Sequence, residues 1–467
     1  MPAKFFKIIP GFHDLKNERY GSAAIRIVLF SLPIILILFN GTLFLNGLMS
    51  FAWSSLAFFV HFNEFTKIFN IQVIEFWFAS FFVVILIAIM FALENRRWRR
   101  PTGYASQWSA IWPEIKKSRF VLFFLCVMVF LYVVAFLAPW LAPQHPNAQQ
   151  DIVVTKYAAP LKKITYVKLR PQDPDPMNDG GDSRSLSRAI LYQKKLLNEK
   201  SNLLFVTTYE KTDGGIRIKQ GIQTKIIPMS ELVSEREEEF IGQKIYLLGS
   251  DKYGRDIFSR LIYGSRISLS IGLLAMLIAV TLGTVVGAAA GYFGKKTDTV
   301  LMRWVDLMLA FPNLFLILMI VALFGNSIFL IVVILGLTGW MGVARIVRGQ
   351  FLALREMEYI QAARAMGFGH ARIIFKHLIP NAMAPVIVAA TLRLGGIILV
   401  EAGLSFLGVG VQPPTASWGN MVADGRDALL SAWWISTFPG LAIVLTVICF
   451  NVIGDGLRDA MDPRLKG

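Results

Sequence analysis

Eight runs of apolar residues divide this chain, at 25–48, 72–93, 120–142, 267–292, 299–325, 328–346, 384–409 and 433–453. About 20 apolar residues in helical form cross the hydrocarbon core of a bilayer. Each run meets that length, so each is expected to span a membrane as a helix. The balance of the chain agrees, with 55% hydrophobic and 17% charged residues, whereas soluble domains carry about 25% charged. The expected fold class is an all-α integral membrane bundle of about eight transmembrane helices. The first run begins near Ala24 and continues to about Met49. That is too long for a signal peptide and lacks a clear cleavage site, so it is expected to stay as an anchor.

A net charge of +16 raises nucleic acid as a partner. The Lys and Arg residues, however, sit mostly in loops beside the apolar runs, and no basic stripe interleaved with aromatics occurs. Membrane lipid is the expected partner and nucleic acid is not. The densest short basic loop holds Arg96, Arg97, Arg99, Arg100, Lys116, Lys117 and Arg119, which places it in the cytoplasm. Threading the runs alternately from there puts both termini inside. Lys295, Lys296, the polar segment Glu358–Asn381 and the tail with Arg458, Arg464 and Lys466 fall on the same side. The loops near Asn326 and Gln412, expected outside, carry almost no Lys or Arg.

One stretch, Pro143 to Lys244, interrupts the pattern. It holds a P-Q-D-P-D-P run at Pro171–Pro176, an acidic-glycine turn at Asn178–Asp182 and a helix-like segment at Arg184–Lys200. Two strand-like runs, Leu203–Tyr209 and Ile216–Ile227, flank Asp213-Gly214-Gly215, a hairpin-type turn. The expectation is a small extracytoplasmic α+β insert, since long loops translocate largely regardless of charge.

Catalytic chemistry is not indicated. There is no G-x-x-x-x-G-K-[ST] phosphate loop. His13, His61, His145, His370 and His377 show no metal-ligand spacing, and no nucleophile sits beside a base. Cys126 and Cys449 lie far apart in apolar runs, as buried inert thiols rather than a disulfide or a metal pair. No internal inverted repeat of the kind many secondary transporters carry is evident.

Four constellations stand out. Glu358–Met366 is a helix of good formers, with Ala362, Ala363 and Ala365, broken at Gly367 and again at Gly369. A second helix, His370–Ile379, is expected to close at Pro380, which cannot continue it. Small alanines permit close approach of a partner, and Gly367 permits a turn that a Cβ would strain. The plainer alternative is a surface hairpin with a solvated face of Arg364, Arg372 and Lys376. Further upstream, Leu247–Gly272 reads as a turn at Ser250 or Asp251 followed by a helix start at Asp256. Ile257, Leu261 and Ile262 give an apolar side, with Arg255, Arg260 and Arg266 available to lipid headgroups. A short amphipathic helix lying in the outer interface is expected there. Gly283, Gly287 and Gly291 form a small-residue face for close helix packing. Finally, Asp306, Arg393 and Glu401 are ionisable residues in or near spans, where a functional role is the default expectation. They could pair with one another (Arg393 with Glu401), line a pore or relay protons.

Several of these strings resemble a known family. Glu358–Asn381 resembles the coupling ("EAA") loop of ABC-importer permeases, with Gln361 in the place of the family's Glu and Ile379 before Pro380. L-L-G-S-D-K-Y-G-R-D-I-F-S-R, from Leu247, is similar to the signature of the dipeptide/oligopeptide/nickel permeases, in the second-permease branch. Glu401-Ala-Gly-Leu-Ser-Phe-Leu-Gly-Val-Gly, Ser417-Trp418-Gly419-Asn420-Met421, Gly454–Asp459 and Asp462-Pro463-Arg464 match the same branch. The resemblance covers about 119–142 and 246–467, and neither residues 1–94 nor the insert.

The resemblance implies the ABC type I importer permease fold. It divides the chain into an N-terminal extension with two extra spans (1–118), a first core span (119–142), the insert (143–246) and a five-span core (247–467) with its coupling loop at 356–381. It implies a non-catalytic, multi-pass subunit of the bacterial inner membrane forming half of a pathway for di- or oligopeptides, with nickel or oligosaccharide as alternative cargo. The implied partners are a second homologous permease, two ABC ATPase subunits and an extracytoplasmic substrate-binding protein. No cofactor is implied in this chain, ATP being bound by the partner ATPases. Glu358, Gln361, Ala362, Ala363, Gly367 and Pro380 would meet the ATPase, and Gly254, Arg255 and Asp256 mark the signature helix. Rival readings are a stand-alone proton-coupled secondary carrier using Asp306 or Glu401, and a membrane scaffold whose insert binds a partner.

Overall fold

Helices dominate because the apolar runs leave no polar partner for the backbone except the backbone itself. The computed structural model describes residues 114–149, 151–170, 203–212, 214–234, 236–325 and 327–461. The runs at 25–48 and 72–93, the helix-like Arg184–Lys200 and the tail residues Arg464 and Lys466 lie outside the described residues. Among the described residues, five helices are long and apolar enough to cross a membrane, or up to six if one bent pair is a single span. The chain divides into two units, one including Phe136–His145 and Lys163–Lys244, the other including Pro146–Lys162 and Ile245–Gly467.

The helical unit contains α1 (Arg119–Phe136), α2 (Ile257–Phe293), α3 (Lys295–Ala310), α4 (Asn313–Phe324), α5 (Ile328–Leu337), α6 (Trp340–Arg355), α7 (Glu358–Ala365), α8 (Ile379–Phe406), α9 (Trp418–Asp424) and α10 (Trp434–Met461). The expected interfacial helix before the second core span does not form. Asp256 caps α2 by accepting from the Ser259 backbone N–H at 2.8 Å, and α2 then runs for 37 residues without a break. Nothing interrupts it, because the polar residues at its start are buried rather than laid against lipid headgroups.

The run at 299–325 is also not one straight span. Phe311 adopts an extended ψ of 130°, as a residue before proline prefers. Pro312 offers no N–H to continue the ladder, and α3 and α4 meet at 81°. Pro380, expected to end a helix, instead sits in the first turn of α8. A π turn at Ile374–Leu378 precedes it, within one helical stretch from His370 to Phe406. In the widened turn Asn381 Nδ2 donates to the His377 carbonyl at 2.7 Å, so a side-chain amide takes up backbone capacity near the proline.

Close backbone approach holds the bundle. A Cβ on Gly283 would lie 2.6 Å from Val343 Cβ, one on Gly287 2.4 Å from the Ala344 carbonyl oxygen, and one on Gly291 2.5 Å from Phe351 Cβ. The expected small-residue face of α2 is thus spent on α6. In lipid, where no hydrophobic drive joins helices, van der Waals packing of this kind supplies the association. On the other side, Met128 of α1, Leu394 and Ile398 of α8 and Ile443, Cys449 and Phe450 of α10 form one core around Trp418. Cys449 is buried, whereas Cys126 is exposed on α1, contrary to the expectation of two buried thiols.

The other unit is strand-rich. β1 (Lys162–Lys168), β2 (Leu203–Val206) and β6 (Ile241–Tyr246) form one sheet in the order β2-β1-β6. β3 (Thr208–Thr212), β4 (Gly215–Gln220) and β5 (Gln223–Pro228) form an antiparallel meander. Each expected strand run divides in two. Leu203–Tyr209 breaks at Thr207, where the chain passes from one sheet to the other. Ile216–Ile227 turns back at Gly221, whose φ is 59°. The hairpin turn expected around Gly214 joins β3 to β4. Alternation buries Ile216 and Ile218 around exposed Arg217, and they pack with Val167, Val206, Ile227, Leu232 and Phe240.

Candidate functional site

Helix α2 carries one of the sequence motifs at each of its two ends, roughly 54 Å apart at 1.5 Å per residue. At its first end stands a buried ion cluster. Gly254 turns the chain with φ 72°, which lets the Asp251 carboxylate accept from the backbone N–H of Tyr253 at 2.8 Å and of Arg255 at 3.0 Å. Arg255 Nε donates to Asp251 Oδ2 at 2.5 Å and Arg255 Nη2 to Asp424 Oδ2 at 3.1 Å. Arg260 lies 3.8 Å from Asp251 and 3.6 Å from Asp424, and Lys252 Nζ lies 3.2 Å from Asp424. Arg255 is 3% and Arg260 1% exposed. Neither reaches for headgroups; both tie the start of α2 to the end of α9. Trp434 Nε1 donates to the Ser250 carbonyl at 3.1 Å, fastening α10 to the same turn. The signature residues Gly254, Arg255 and Asp256 therefore serve as turn, clamp and cap.

At the other end, α7 and the helical turn from His370 form the loop singled out in the sequence. Ile360, Ala363, Ile373 and Leu378 are buried in one core with Tyr292 of α2, Val347 and Phe351 of α6 and Ala382 of α8. Tyr292 Oη and His370 Nδ1 are 2.7 Å apart, and the Arg364 guanidinium lies over the Tyr292 ring at 5.2 Å. Gly367 has φ 76°, with open space where a Cβ would stand, so backbone handedness rather than room requires glycine there. The loop thereby turns a second face outward. Glu358, Gln361, Ala362, Gly367 and Pro380 are exposed, as are Met357, Tyr359, Met366 and Phe375. Gln361 Nε2 donates to the Glu356 carbonyl at 3.1 Å, a bond that a carboxylate in its place could not donate. Ala363 is the exception among the expected partner-facing residues, packing into its own bundle.

The three intramembrane residues do not come together. Asp306 of α3 pairs with Arg345 of α6 at 2.6 Å, both about half exposed. Glu401 is fully buried and accepts from Ser405 Oγ at 2.8 Å and Ser268 Oγ at 3.4 Å. Ser268 Oγ in turn accepts from the Trp418 backbone N–H at 3.1 Å. The Arg393–Glu401 pair, one of the possibilities the sequence left open, is not made: the two stand about 12 Å apart along α8, with Glu401 on Ser268 and Ser405 and Arg393 beside Gly339 and Gly342. Sequence reasoning missed Asp424, Lys252, Arg345 and His370's tie to Tyr292. The Asp251–Arg255 spacing offered a helical i,i+4 hint, whereas nothing local points to Asp424.

Comparison with known proteins agrees with this architecture. Residues 283–467 match the family described as binding-protein-dependent transport system inner membrane component. Residues 106–160 match the N-terminal TM domain of oligopeptide transport permease C. The oligopeptide transport system permease protein OppC of Haemophilus influenzae is 46% identical over 219 residues, 47% of this chain and 70% of that protein. The dipeptide transport system permease protein DppC of Alkalihalophilus pseudofirmus is 46% identical over 218 residues, 47% of this chain and 72% of that protein. Among solved structures, an inward-facing MetNI methionine ABC transporter aligns with 44% of this chain and 97% of its own, at 21% identity and a TM-score of 0.36. The family pairs its members with ATPase and substrate-binding partners. The chain belongs to the binding-protein-dependent transport system inner membrane components, as a multi-pass permease.

Proposed function

We propose that this chain forms half of the translocation pathway of an ATP-driven importer of di- and oligopeptides. A second homologous permease supplies the other half, two ABC ATPase subunits bind and hydrolyse the nucleotide, and an extracytoplasmic binding protein delivers cargo. On this reading the chain contributes no catalytic residue and holds no cofactor of its own, ATP being bound by the partner subunits. Both termini and the Glu358–Asn381 loop face the cytoplasm, and the insert faces outward, as the distribution of Lys and Arg favours. The relatives' names, oligopeptide and dipeptide permeases, support peptide cargo over nickel or oligosaccharide.

The observation that carries this reading is the two-faced loop. Its inner face is locked to α2, α6 and α8 through Ile360, Ala363, Ile373 and Leu378, while Tyr359, Met366 and Phe375 stand out from the bundle. A rigid push on the outer face is therefore delivered to three spans at once, the requirement for a two-state bundle transition driven by a partner. Glu358, Gln361, Ala362, Gly367 and Pro380 lie on the face that docks, and Ala363 seats the helix from behind. Gly367→Asp should leave membrane insertion intact but separate ATP hydrolysis from uptake in the purified complex; unchanged uptake would sink the assignment. Mild detergent extraction should bring down a P-loop ATPase and a second multi-span subunit with this chain. The proton-coupled carrier reading draws less support, since Asp306 is held by Arg345 and Glu401 by hydroxyls. It predicts uptake that follows a proton gradient with no ATPase present.

A further inference from the structure

Arg393 lies near the middle of the 28-residue helix α8, roughly 20 Å from either end. An arginine side chain cannot snorkel that far to reach headgroups. Among the described residues it forms neither an ion pair nor a hydrogen bond, and its Nε is a buried donor with no partner. It is nevertheless only half-buried. A cation in that position is not tolerated against lipid tails; such residues face the bundle interior or a water-filled cavity. Among the described residues, the bundle interior supplies no carboxylate for it.

Its Nε lies in packed ground, since a Cβ at Gly339 would stand 3.0 Å from Ala279 Cβ and 3.4 Å from that nitrogen, whereas the Nη1 side is open. A Cβ at Gly342 of α6 would meet only Arg393 Nη1, at 3.4 Å. Gly396, one turn further along α8, and Gly349, two turns beyond Gly342 on α6, have nothing within 4 Å of a Cβ. The contrast with Arg345, one turn from Gly342, is instructive. That arginine is neutralised by Asp306 at 2.6 Å, whereas Arg393 has no anion among the described residues.

We propose that Arg393 faces the aqueous translocation path at mid-membrane and binds the terminal carboxylate of the passing peptide. This rests on the importer reading above and adds the recognition chemistry to it. A guanidinium offers a planar fork matched to a carboxylate, and partial burial strengthens that attraction while leaving the group reachable.

The test uses proteoliposomes containing the full transporter with its binding protein, fed with trialanine or with trialanine C-terminal amide at saturating concentration. The wild type should import the free acid in preference to the amide. Arg393→Gln should lower import of the free acid about tenfold, the size expected for one charge-assisted hydrogen bond, and leave the amide within about twofold. Arg393→Lys should retain part of the preference. An acid-to-amide ratio that is the same in the wild type and Arg393→Gln overturns the inference, as it would if a carboxylate of the second permease were the true mate. A wild type that imports neither peptide overturns the peptide reading itself. As a second measurement, Arg393→Cys, with Cys126→Ser and Cys449→Ala, should react with a water-soluble thiol reagent in the nucleotide-free or the ATP-held state, and trialanine should slow the reaction. Absence of reaction in both states overturns the inference independently of uptake.

Discussion

The two ends of α2 carry equally distinctive sequence motifs, and they use them in opposite ways. At the Asp256 end, charged side chains turn inward; Arg255 and Arg260 are buried and answered by Asp251 and Asp424. At the Tyr292 end, the apolar residues Tyr359, Met366 and Phe375 turn outward, above a buried layer that holds the loop in place. One motif is consumed by the chain's own fold, and the other is left for a partner. The lesson is that a motif's chemistry does not reveal its role until burial is known: the arginines are spent inside the fold, and the exposed hydrophobics are the ones available to a partner.

The largest effect should come from breaking the inward-facing end. Asp251→Ala would leave Arg255 and Arg260 buried with half their compensating charge, and removal of one partner from a buried ion pair costs about 3–5 kcal/mol. Thermal unfolding of the purified chain in detergent should show this as a large drop or as failure to accumulate. A near-normal transition would mean that the cluster is solvated and the contrast between the ends is false. Next in size is Gly287→Val. The first added carbon would lie 2.4 Å from the Ala344 carbonyl oxygen, and overpacking of this sort costs about 1–3 kcal/mol. It should also weaken uptake if the Glu358–Asn381 loop couples to a partner, since α2 and α6 both anchor that loop.

The outward-facing end should respond differently. Phe375→Ser and Met366→Ala remove side chains that are 72% and 66% exposed, so each should change the unfolding transition by no more than about 0.5 kcal/mol. Co-purification of the ATPase should nonetheless fall. Loss of stability without loss of the ATPase would reverse the roles assigned to the two ends.

Much of this was legible in the sequence, and the failures share a cause. Apolar runs located the core spans, Gly283, Gly287 and Gly291 announced a close helix crossing, and Glu358–Asn381 declared a helix pair broken at Gly367. What escaped were long-range partners and the behaviour of prolines. Arg255 and Arg260 beside Ile257 and Leu261 look amphipathic in one dimension, and only the arrival of Asp424 from far along the chain buries them. Pro312 bends a run that hydropathy reads as straight, because hydropathy averages over residues and is blind to a missing N–H. Pro380 does the reverse and ends nothing, because the π turn at Ile374–Leu378 and the Asn381 amide on the His377 carbonyl absorb its missing N–H within a continuous helical stretch. The charge of Arg393 stands out in the sequence, but that no anion among the described residues answers it follows only from Glu401 facing Ser268 and Ser405.

The finest probe of the comparison is the rim of the buried cluster. Burial pulls the Lys252 ammonium down, but the Asp424 carboxylate at 3.2 Å outweighs it and holds the group above the ordinary lysine value of 10.5. A group raised on folding stabilises the folded state fully below its unfolded value, and that contribution is lost as pH rises through the higher folded value. Lys252→Met should therefore lower stability slightly below pH 10.5, by about 0.2–1 kcal/mol given that the side chain is partly exposed and screened. The difference from the wild type should shrink as the pH passes above that value, when both chains lack the charge. Unfolding curves in detergent at a series of alkaline pH values check this. A deficit that stayed constant across the series would assign Lys252 a packing role, over the Tyr253 ring at 5.1 Å, and confine the electrostatic clamp to Arg255 and Arg260.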